Sequence, residues 1–328
     1  MTFHFFSIPR RFVLVGAALS LASGVIAAQD KFPSRTIKIV VGSEAGSAPD
    51  VLARVLANEM GPALGQSIII ENKAGAAGTI GAAQVVNAPA DGYTLLMGTV
   101  SNVALAPSFY SVKYDPVKDF TAVGMVASVP LVLVTSPNFG VTDFQQFAAK
   151  AKQAIGELAY ASPGIGGPQH LAGVLLQRQL GRSTLHVPYK SGGAAMTAVV
   201  SGEVQFAFAG IPAAASLAAG NKLVPLFVTS GQRSAAMPNV PSAPEVGLQG
   251  FEIDNWHALL APAKLPVGTR SVIEAALQKA LTSPAVKEQY RKAGAEPAGG
   301  SSKQMEAMIA SETARWAKFV VDNKLKAE

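Results

Sequence analysis

Ile39-Val-Val-Gly-Ser-Glu-Ala-Gly-Ser-Ala-Pro-Asp50 joins an apolar run to a glycine-rich loop, and the residues after it look like the start of a helix. Two further stretches, Leu158 to Ala172 and Leu185 to Val200, have the same form. A helix N-terminus leaves backbone N–H groups without partners and carries roughly half a positive charge, so it can hold a carboxylate or phosphate without a cationic side chain. The three stretches therefore predict a site for a small anion.

Around these loops the chain alternates between strand and helix patterns. Buried-strand patterns are predicted over 37–41, 67–71, 94–99, 131–135, 158–161, 187–189, 204–208 and 224–229. Helical patterns are predicted over 51–60, 79–87, 143–154, 169–180, 194–201, 212–219 and 312–325, the last with an apolar face of Trp316, Phe319 and Val320. Such alternation predicts an α/β fold of mainly parallel sheets flanked by helices, with sites at the carboxyl ends of the strands.

The N-terminus has the pattern of an export signal over residues 1–28. Arg10 and Arg11 precede an apolar stretch over 12–21, and small residues lead to Ala27-Ala28. The stretch is too short to span a bilayer. The chain holds no cysteine, which excludes a disulfide and a lipid attached through an N-terminal cysteine. We therefore expect a free periplasmic protein whose roughly 300 remaining residues form two domains.

Composition and motifs argue against several classes of function. The formal charge of +6 is spread along the chain without a dense basic run, which argues against nucleic-acid binding. The four histidines show no metal-ligand spacing, and no Gly-x-Ser-x-Gly elbow or phosphate-binding Gly-Lys-Ser/Thr motif occurs. We therefore expect no metal, no cofactor and no catalysis, although a catalytic group assembled in space is an alternative that sequence leaves open.

Ten segments, in order and spread over nearly the whole chain, carry a resemblance to a known family. They are Phe32-Pro-Ser-Arg-Thr-Ile-Lys-Ile-Val-Val41, Glu71-Asn-Lys-Ala-Gly-Ala-Ala-Gly-Thr-Ile-Gly81, Asp91-Gly-Tyr-Thr-Leu-Leu-Met-Gly98, Tyr114-Asp-Pro-Val-Lys-Asp-Phe120, Tyr160-Ala-Ser-Pro-Gly164, His170-Leu-Ala-Gly173, Val187-Pro-Tyr-Lys190, Val228-Thr-Ser230, Val240-Pro-Ser-Ala-Pro-Glu245 and Trp256. Together they resemble the Bug or TctC family of periplasmic solute-binding proteins, which serve tripartite tricarboxylate transporters.

The resemblance implies a two-domain periplasmic binding protein of type II, a Venus flytrap that closes on its ligand. It implies a first α/β domain over 29–128 plus 253–328 and a second over 129–252. It also implies a small carboxylate ligand, either a di- or monocarboxylate or an aromatic acid, and the membrane permease subunits of a transporter as partners. We expect a monomer. A sensor kinase is an alternative partner, because the closed, liganded form can signal as well as deliver.

The resemblance places ligand contacts in the first loop at Gly46, Ser47, Ala48 and Asp50. Gly46 and Asp50 match the family pattern, whereas Ser47 stands where a second glycine is usual. An alternative role for Ser47 and Asp50 is a capping box at the start of the helix. Glu44 is unexpected here, since a carboxylate beside an anion site repels the ligand unless it points away or pairs with a ligand amine.

In the second loop the candidate ligand contacts are Ser162, Gly164, Gly166, Gly167 and His170, and all of them except Gly167 fit the family pattern. Gly167 replaces a usual Thr and Ile165 a common Asn, so two polar side chains are absent. His170 lies in the first turn of the predicted helix, where a structural role is favoured over ligand contact.

In the third loop Tyr189, Ser191 and Gly192 are the candidate contacts. The departures at Ala48, Pro49, Ile165 and Gly167 all remove polar groups. They predict a pocket more apolar than one built for citrate, suited to a monocarboxylate, an aromatic acid or a longer dicarboxylate.

Overall fold

The computed structural model describes residues 1–2, 32–154, 156, 158–251 and 253–325. Apart from residues 1–2, the predicted signal peptide lies outside the described residues. In the described part of the chain, no helix combines the length and the apolar character that a membrane span requires.

Strands and helices alternate through most of the described chain. The strands are β1 (Ile37–Val41), β2 (Ile68–Asn72), β3 (Thr94–Thr99), β4 (Phe120–Ser128), β5 (Leu131–Thr135), β6 (Leu158–Ser162), β7 (Thr184–Pro188), β8 (Phe206–Gly210), β9 (Val224–Val228), β10 (His257–Pro262) and β11 (Glu296–Pro297). The α-helices are α1 (Ala48–Leu64), α2 (Thr79–Val86), α3 (Ala106–Phe109), α4 (Phe144–Gln153), α5 (Pro168–Leu180), α6 (Gly192–Ser201), α7 (Ile211–Ala219), α8 (Val267–Thr282), α9 (Pro284–Lys292) and α10 (Ser302–Asp322).

The strands form two mixed sheets. The first has the order β11-β4-β10-β3-β1-β2, and the second has the order β7-β6-β8-β5-β9. In the first sheet β1 pairs in parallel with β2 and β3, whereas β10 runs antiparallel to β3 and β4. In the second, β6 is parallel to β7 and β8, and β5 is antiparallel to β8 and β9. The predicted α/β fold is confirmed, with antiparallel strands added inside each sheet.

Apolar burial explains why the predicted strands form. In β1, Ile37, Ile39, Val40 and Val41 are fully buried, as expected of a strand covered on both faces. The predicted apolar face of the C-terminal helix is also confirmed, since Trp316, Phe319 and Val320 of α10 are buried. That helix begins ten residues before the predicted start, behind a capping box of Ser301 and Gln304.

Lysine side chains flank the carboxyl end of β2. The Glu71 carboxylate lies 2.6 Å from the Lys38 ammonium and 3.1 Å from that of Lys73. These two partners, Lys38 foremost, lower the pKa of Glu71 to about 2. The carboxylate therefore stabilises this edge of the first sheet at neutral pH.

The chain passes between the sheets at two places that lie side by side. It leaves β4 for β5 through Val129 and Pro130, and Pro130 pairs in antiparallel fashion with Asp254, just before β10. The Asp254 carboxylate accepts hydrogen bonds from the Ser128 hydroxyl at 2.8 Å and the Val129 N–H at 3.3 Å. Burial nevertheless raises the pKa of Asp254 to about 6. The crossing is therefore built around a carboxyl group that is costly to ionise.

Candidate functional site

A cleft of about 560 Å³ lies between the two sheets, where loops from both converge. Its lining comes from the segments after β1, β2, β3 and β6, from Tyr110 and from the start of β10. The lining residues are Gly42, Ser43, Glu44, Pro49, Ala74, Gly75, Ala77, Gly78, Thr99, Ser101, Asn102, Tyr110, 163–169, Asn255 and His257. Parallel strands bring their carboxyl ends to one edge of a sheet, which is why these loops meet.

The loops after β1 and β2 are packed backbone against backbone. A Cβ on Gly42 would lie 2.8 Å from both the Cα and the carbonyl oxygen of Gly78, closer than real Cβ contacts. The backbone from Gly75 to Gly78 is left-handed throughout, and it includes Ala76 at φ 46° and Ala77 at φ 54°. Non-glycine residues in this region are strained, and such strain concentrates at functional sites. The turn places Gly78, the N-cap residue of α2, in the cleft lining.

Asn102 is held at the end of β3 by a reciprocal cap. It lies in the π-helical segment Val100–Leu105, and its Oδ1 accepts a hydrogen bond from the Thr99 N–H at 2.8 Å. Its own N–H donates to the Thr99 hydroxyl at 3.3 Å. The side chain is almost fully buried, yet its Nδ2 group makes no hydrogen bond to any described residue. A donor is therefore left free at the cleft.

In the second sheet, the loop after β6 leads into the N-terminus of α5. Gly167 is the N-cap residue and provides no side-chain cap, and Pro168 at the first position has no N–H to donate. Within the helix, the N–H groups of Gln169 and His170 lack the carbonyl partners that later residues have. The predicted contacts Gly164, Gly166 and Gly167 line the cleft here. The left-handed Gly164 and Gly166 make the bend that brings this helix end to the cleft.

A buried histidine, His170, and a half-buried one, His186, pack behind that loop. The His170 Nδ1 accepts a hydrogen bond from the Gly166 N–H at 3.1 Å, and its ring stacks on His186 at 4.2 Å. The Ser162 hydroxyl lies 2.6 Å from the His186 Nε2 and 2.8 Å from the Gly164 carbonyl oxygen. Burial lowers the pKa of each histidine to about 4, so both rings are neutral at pH 7. Ser162 and His170 therefore hold the loop, and their contact with a ligand stays a prediction.

The first predicted loop is only partly at the cleft. Glu44 and Pro49 line it, whereas Gly46, Ser47, Ala48 and Asp50 do not. The alternative role considered for Ser47 and Asp50, a capping box, is not formed. Ser47 is the N-cap of α1, but its hydroxyl donates to the Glu44 carbonyl oxygen at 2.6 Å.

The Asp50 carboxylate instead reaches back and fixes the loop itself. It accepts hydrogen bonds from the Gly46 N–H at 2.9 Å, Arg54 Nε at 3.0 Å and Asn72 Nδ2 at 2.9 Å. Burial raises the pKa of Asp50, but the bonds from Arg54, Gly46 and Asn72 outweigh burial and hold that pKa below its usual value. Asp50 is thus ionised at neutral pH and fully occupied by protein donors.

The third predicted loop is not part of the cleft lining. The Tyr189 hydroxyl donates to the Glu203 carboxylate at 2.9 Å, and the Ser191 hydroxyl accepts from the Ala194 N–H at 3.2 Å as the N-cap of α6. Ser191 and Gly192 are exposed, and β7 is an edge strand of the second sheet. None of Tyr189, Ser191 and Gly192 is among the lining residues. Their contact with a ligand stays a prediction.

Sequence reasoning missed most of the first-sheet half of the cleft. The loop from Ala74 to Gly78 has the same form as the three chosen stretches, because it follows a strand, is rich in glycine and opens α2. The same glycine pattern could therefore have predicted that this loop lines the cleft. His257 carries no such signal, because its place depends on β10 returning to β3 from far along the chain. Asn102 follows β3 directly and is placed by its local cap with Thr99.

The electrostatics of the cleft are simple. Among the described residues that line it, Glu44 is the one charged side chain, and it is exposed. No Lys or Arg belongs to this lining, so the partial positive charges that it offers to an anion come from N–H groups and not from cationic side chains. In the described residues no group of three His, Cys, Asp or Glu is placed to hold a metal ion.

Two mixed α/β sheets with helices on their faces and a cleft at the converging strand ends define a periplasmic binding protein fold. The family model described as the tripartite tricarboxylate transporter family receptor matches residues 52–325. The chain belongs to this family of solute-binding proteins, and the resemblance noted in the sequence is confirmed.

Solved structures of relatives agree with this assignment. The periplasmic binding protein BugD is 30% identical with a TM-score of 0.76, and the match covers 90% of this chain and 100% of that one. MatC from Rhodopseudomonas palustris with bound malate is 31% identical with a TM-score of 0.74, covering 88% and 100%. An R. palustris protein with adipate is 30% identical with a TM-score of 0.78, covering 90% and 100%. Relatives of this chain thus hold small carboxylates.

Proposed function

We propose that this protein is exported to the periplasm, captures a small carboxylate in the cleft and delivers it to the membrane subunits of a tripartite tricarboxylate transporter, without chemical change. The main support for this proposal is the N-terminus of α5, which has no side-chain cap and lies at a cleft whose described lining has no cationic side chain. Free N–H groups and the helix dipole suit a carboxylate. The relatives with malate and adipate support the same ligand class.

The ligand we propose is less polar than citrate. Ile165 and Pro49 line the cleft where polar residues are common in the family, and Gly167 supplies only backbone. One carboxylate lies on the α5 terminus while the rest of the molecule faces loops of the first sheet. The two domains proposed from the resemblance, 29–128 plus 253–328 and 129–252, close on it. A monocarboxylate, an aromatic acid or a longer dicarboxylate fits such a cleft.

A capping substitution tests the anion site without disturbing the fold. Gly167 has an ordinary φ of −83° and a Cβ there would meet only the Gln169 Oε1 at 3.6 Å, so Gly167→Asp is accommodated. Its carboxylate would cap the N–H groups that the ligand needs. Gly210→Asp is the matched control, because Gly210 is the uncapped N-cap of α7, has open space around it and lies outside the cleft lining.

The measurement is thermal stabilisation by a library of carboxylates. A ligand at 100 times its Kd stabilises the native state by about 2.7 kcal/mol. We expect this gain for at least one acid in the wild type and in Gly210→Asp, and its loss in Gly167→Asp. A response to citrate alone would refute the less polar ligand, and no response to any acid would refute the anion site.

The transport role is tested in a deletion strain. We expect loss of uptake of the acid that stabilises the protein. Loss of induction with uptake intact would instead support a ligand-sensing partner of a sensor kinase.

A further inference from the structure

At one end of the cleft, two nearly inaccessible side chains each keep one polar atom without a partner. Thr99, Ser101, Asn102, Asn255 and His257 form this polar end of the cleft. Asn102 is 2% exposed and its Nδ2 makes no hydrogen bond to a described residue. His257 is 0% exposed and its Nε2 is buried without a partner. Buried polar atoms are nearly always paired, so the buried His257 Nε2 calls for a partner that the described residues do not supply. The Asn102 Nδ2 is a donor that is free to bond at the cleft.

The two unpaired atoms have opposite hydrogen-bonding character. The His257 Nδ1 lies 3.0 Å from the Asn255 carbonyl oxygen, which can only accept, so Nδ1 carries the proton. Burial lowers the pKa of His257 to about 4, which keeps the ring neutral at pH 7. The Nε2 is then an acceptor. Because the Asn102 Oδ1 accepts from Thr99, the free atom of that amide is the donor Nδ2.

The same stretch of β3 places both residues. His257, the first residue of β10, is the antiparallel partner of Thr99. Thr99 in turn forms the reciprocal cap with Asn102. One free donor and one free acceptor therefore belong to the same end of the cleft, on either side of Thr99.

Charge decides which ligand group suits this end. The described lining holds no Lys or Arg, and its one charged side chain is Glu44. A second carboxylate would meet the lone pair of a neutral histidine and no cation. A methyl group would leave both polar atoms unpaired. A hydroxyl group accepts from Asn102 and donates to His257 at once.

We propose that the polar end of the cleft binds a hydroxyl group, so that the preferred ligand is a small hydroxy acid with its carboxylate on the α5 terminus and its hydroxyl between Asn102 Nδ2 and His257 Nε2. This inference rests on the proposed carboxylate site, and it adds the second recognition point. Asn102 and His257 are then the residues that determine specificity.

Matched acids that differ only at the far end test the proposal by calorimetry. One series is butyrate, 4-hydroxybutyrate and succinate, and the other is hexanoate, 6-hydroxyhexanoate and adipate. In at least one series we expect the hydroxy acid to bind about tenfold more tightly than both companions, the effect of two ordinary hydrogen bonds. Equal binding of the hydroxy and methyl members in both series would overturn the inference.

Three variants assign that preference to residues. His257→Phe removes the acceptor and keeps a ring, and Asn102→Asp replaces the donor while keeping an oxygen for Thr99. In both we expect the hydroxy-to-methyl preference to fall to within about twofold. Binding of the methyl acid should persist in His257→Phe, whereas the carboxylate introduced by Asn102→Asp should weaken the binding of every acid by repulsion. Thr184→Val is the control. It removes a different buried polar atom without a partner, the Thr184 hydroxyl, which lies outside the cleft lining, so the preference should remain.

A measurement on the unsubstituted protein covers the case in which a variant fails to fold. With ¹⁵N-labelled histidine, the His257 Nε2 resonance should move on addition of the hydroxy acid and not on addition of its methyl analogue. An unmoved resonance, or a preference intact in His257→Phe and Asn102→Asp, overturns the inference and leaves the carboxylate site standing. If none of the six acids binds, the proposed function falls and the inference falls with it.

Discussion

Gly42→Ala probes the close backbone contact that joins two loops of the cleft. The added methyl would lie 2.8 Å from the Gly78 Cα and carbonyl oxygen and 2.9 Å from Asn102 Nδ2. Because two of these atoms are backbone, no side-chain rotation relieves the clash. The loops must separate by about 0.6 Å to turn 2.8 Å into an ordinary contact of 3.4 Å. Overpacking of this kind costs about 1–3 kcal/mol.

The expected result has a thermal and a binding component. We expect the melting temperature to fall by roughly 2–8 °C, using the usual scaling for a chain of this size. We also expect weaker binding of any acid that stabilises the wild type, because Asn102 and the start of α2 move with the loops. Differential scanning calorimetry and titration of the same preparations measure both effects.

The control is another glycine-to-alanine change. Gly268 lies in α8 with ordinary φ and open space at its Cβ, so Gly268→Ala should leave binding unchanged and raise stability by up to about 1 kcal/mol. A melting temperature and affinity of Gly42→Ala equal to those of the wild type would refute the steric reasoning.

Three further changes test charge and packing elsewhere. Folding raises the pKa of Asp254 to about 6, so the protein loses stability as the pH rises from the usual carboxyl range through 6. Asp254→Asn should therefore increase the free energy of unfolding by about 2 kcal/mol at pH 8 and hardly at all at pH 4, as measured by urea unfolding. Lys38 lowers the pKa of Glu71 to about 2, so the stability that this ion pair contributes is present above pH 4.5 and is lost towards pH 2. Glu71→Gln should therefore lower the free energy of unfolding by about 1 kcal/mol at pH 7 and leave it unchanged at pH 2. A Cβ on Gly173 would lie 2.0 Å from the Tyr160 ring, so Gly173→Ala should destabilise by about 3 kcal/mol or more, and an unchanged urea midpoint would contradict this.

The fold was predictable wherever local pattern and burial agree. The strand over 37–41 was predicted with its observed bounds, because a short apolar run between polar residues has one strong interpretation. The strands β4 and β10 were not predicted, although both are buried, because nothing local shows that they return antiparallel between β3 and β11. The position of these strands depends on pairing between distant segments, and the periodicity of a segment gives no information about its pairing partner.

The same distinction separates the parts of the site. The glycine pattern pointed to Gly164, Gly166 and Gly167, which line the cleft, because a loop that opens a helix is a local feature. It also pointed to Tyr189, whose partner is Glu203 at the edge of the second sheet. The same local form thus occurs inside the cleft lining and outside it. Only the order of strands decides which helix openings converge.

The position of His257 connects recognition to the crossing between the sheets. His257 begins β10, and Asp254, three residues earlier, is bonded to the crossing segment on the other side. A ligand group that bonds to His257 therefore restrains the strand that carries the chain between the two sheets. In the proposed binding mode the α5 terminus of the second sheet holds the carboxylate, while His257 of the first sheet bonds to the hydroxyl of the same molecule. Recognition at both ends of one molecule would thus favour the closed arrangement of the sheets over any other.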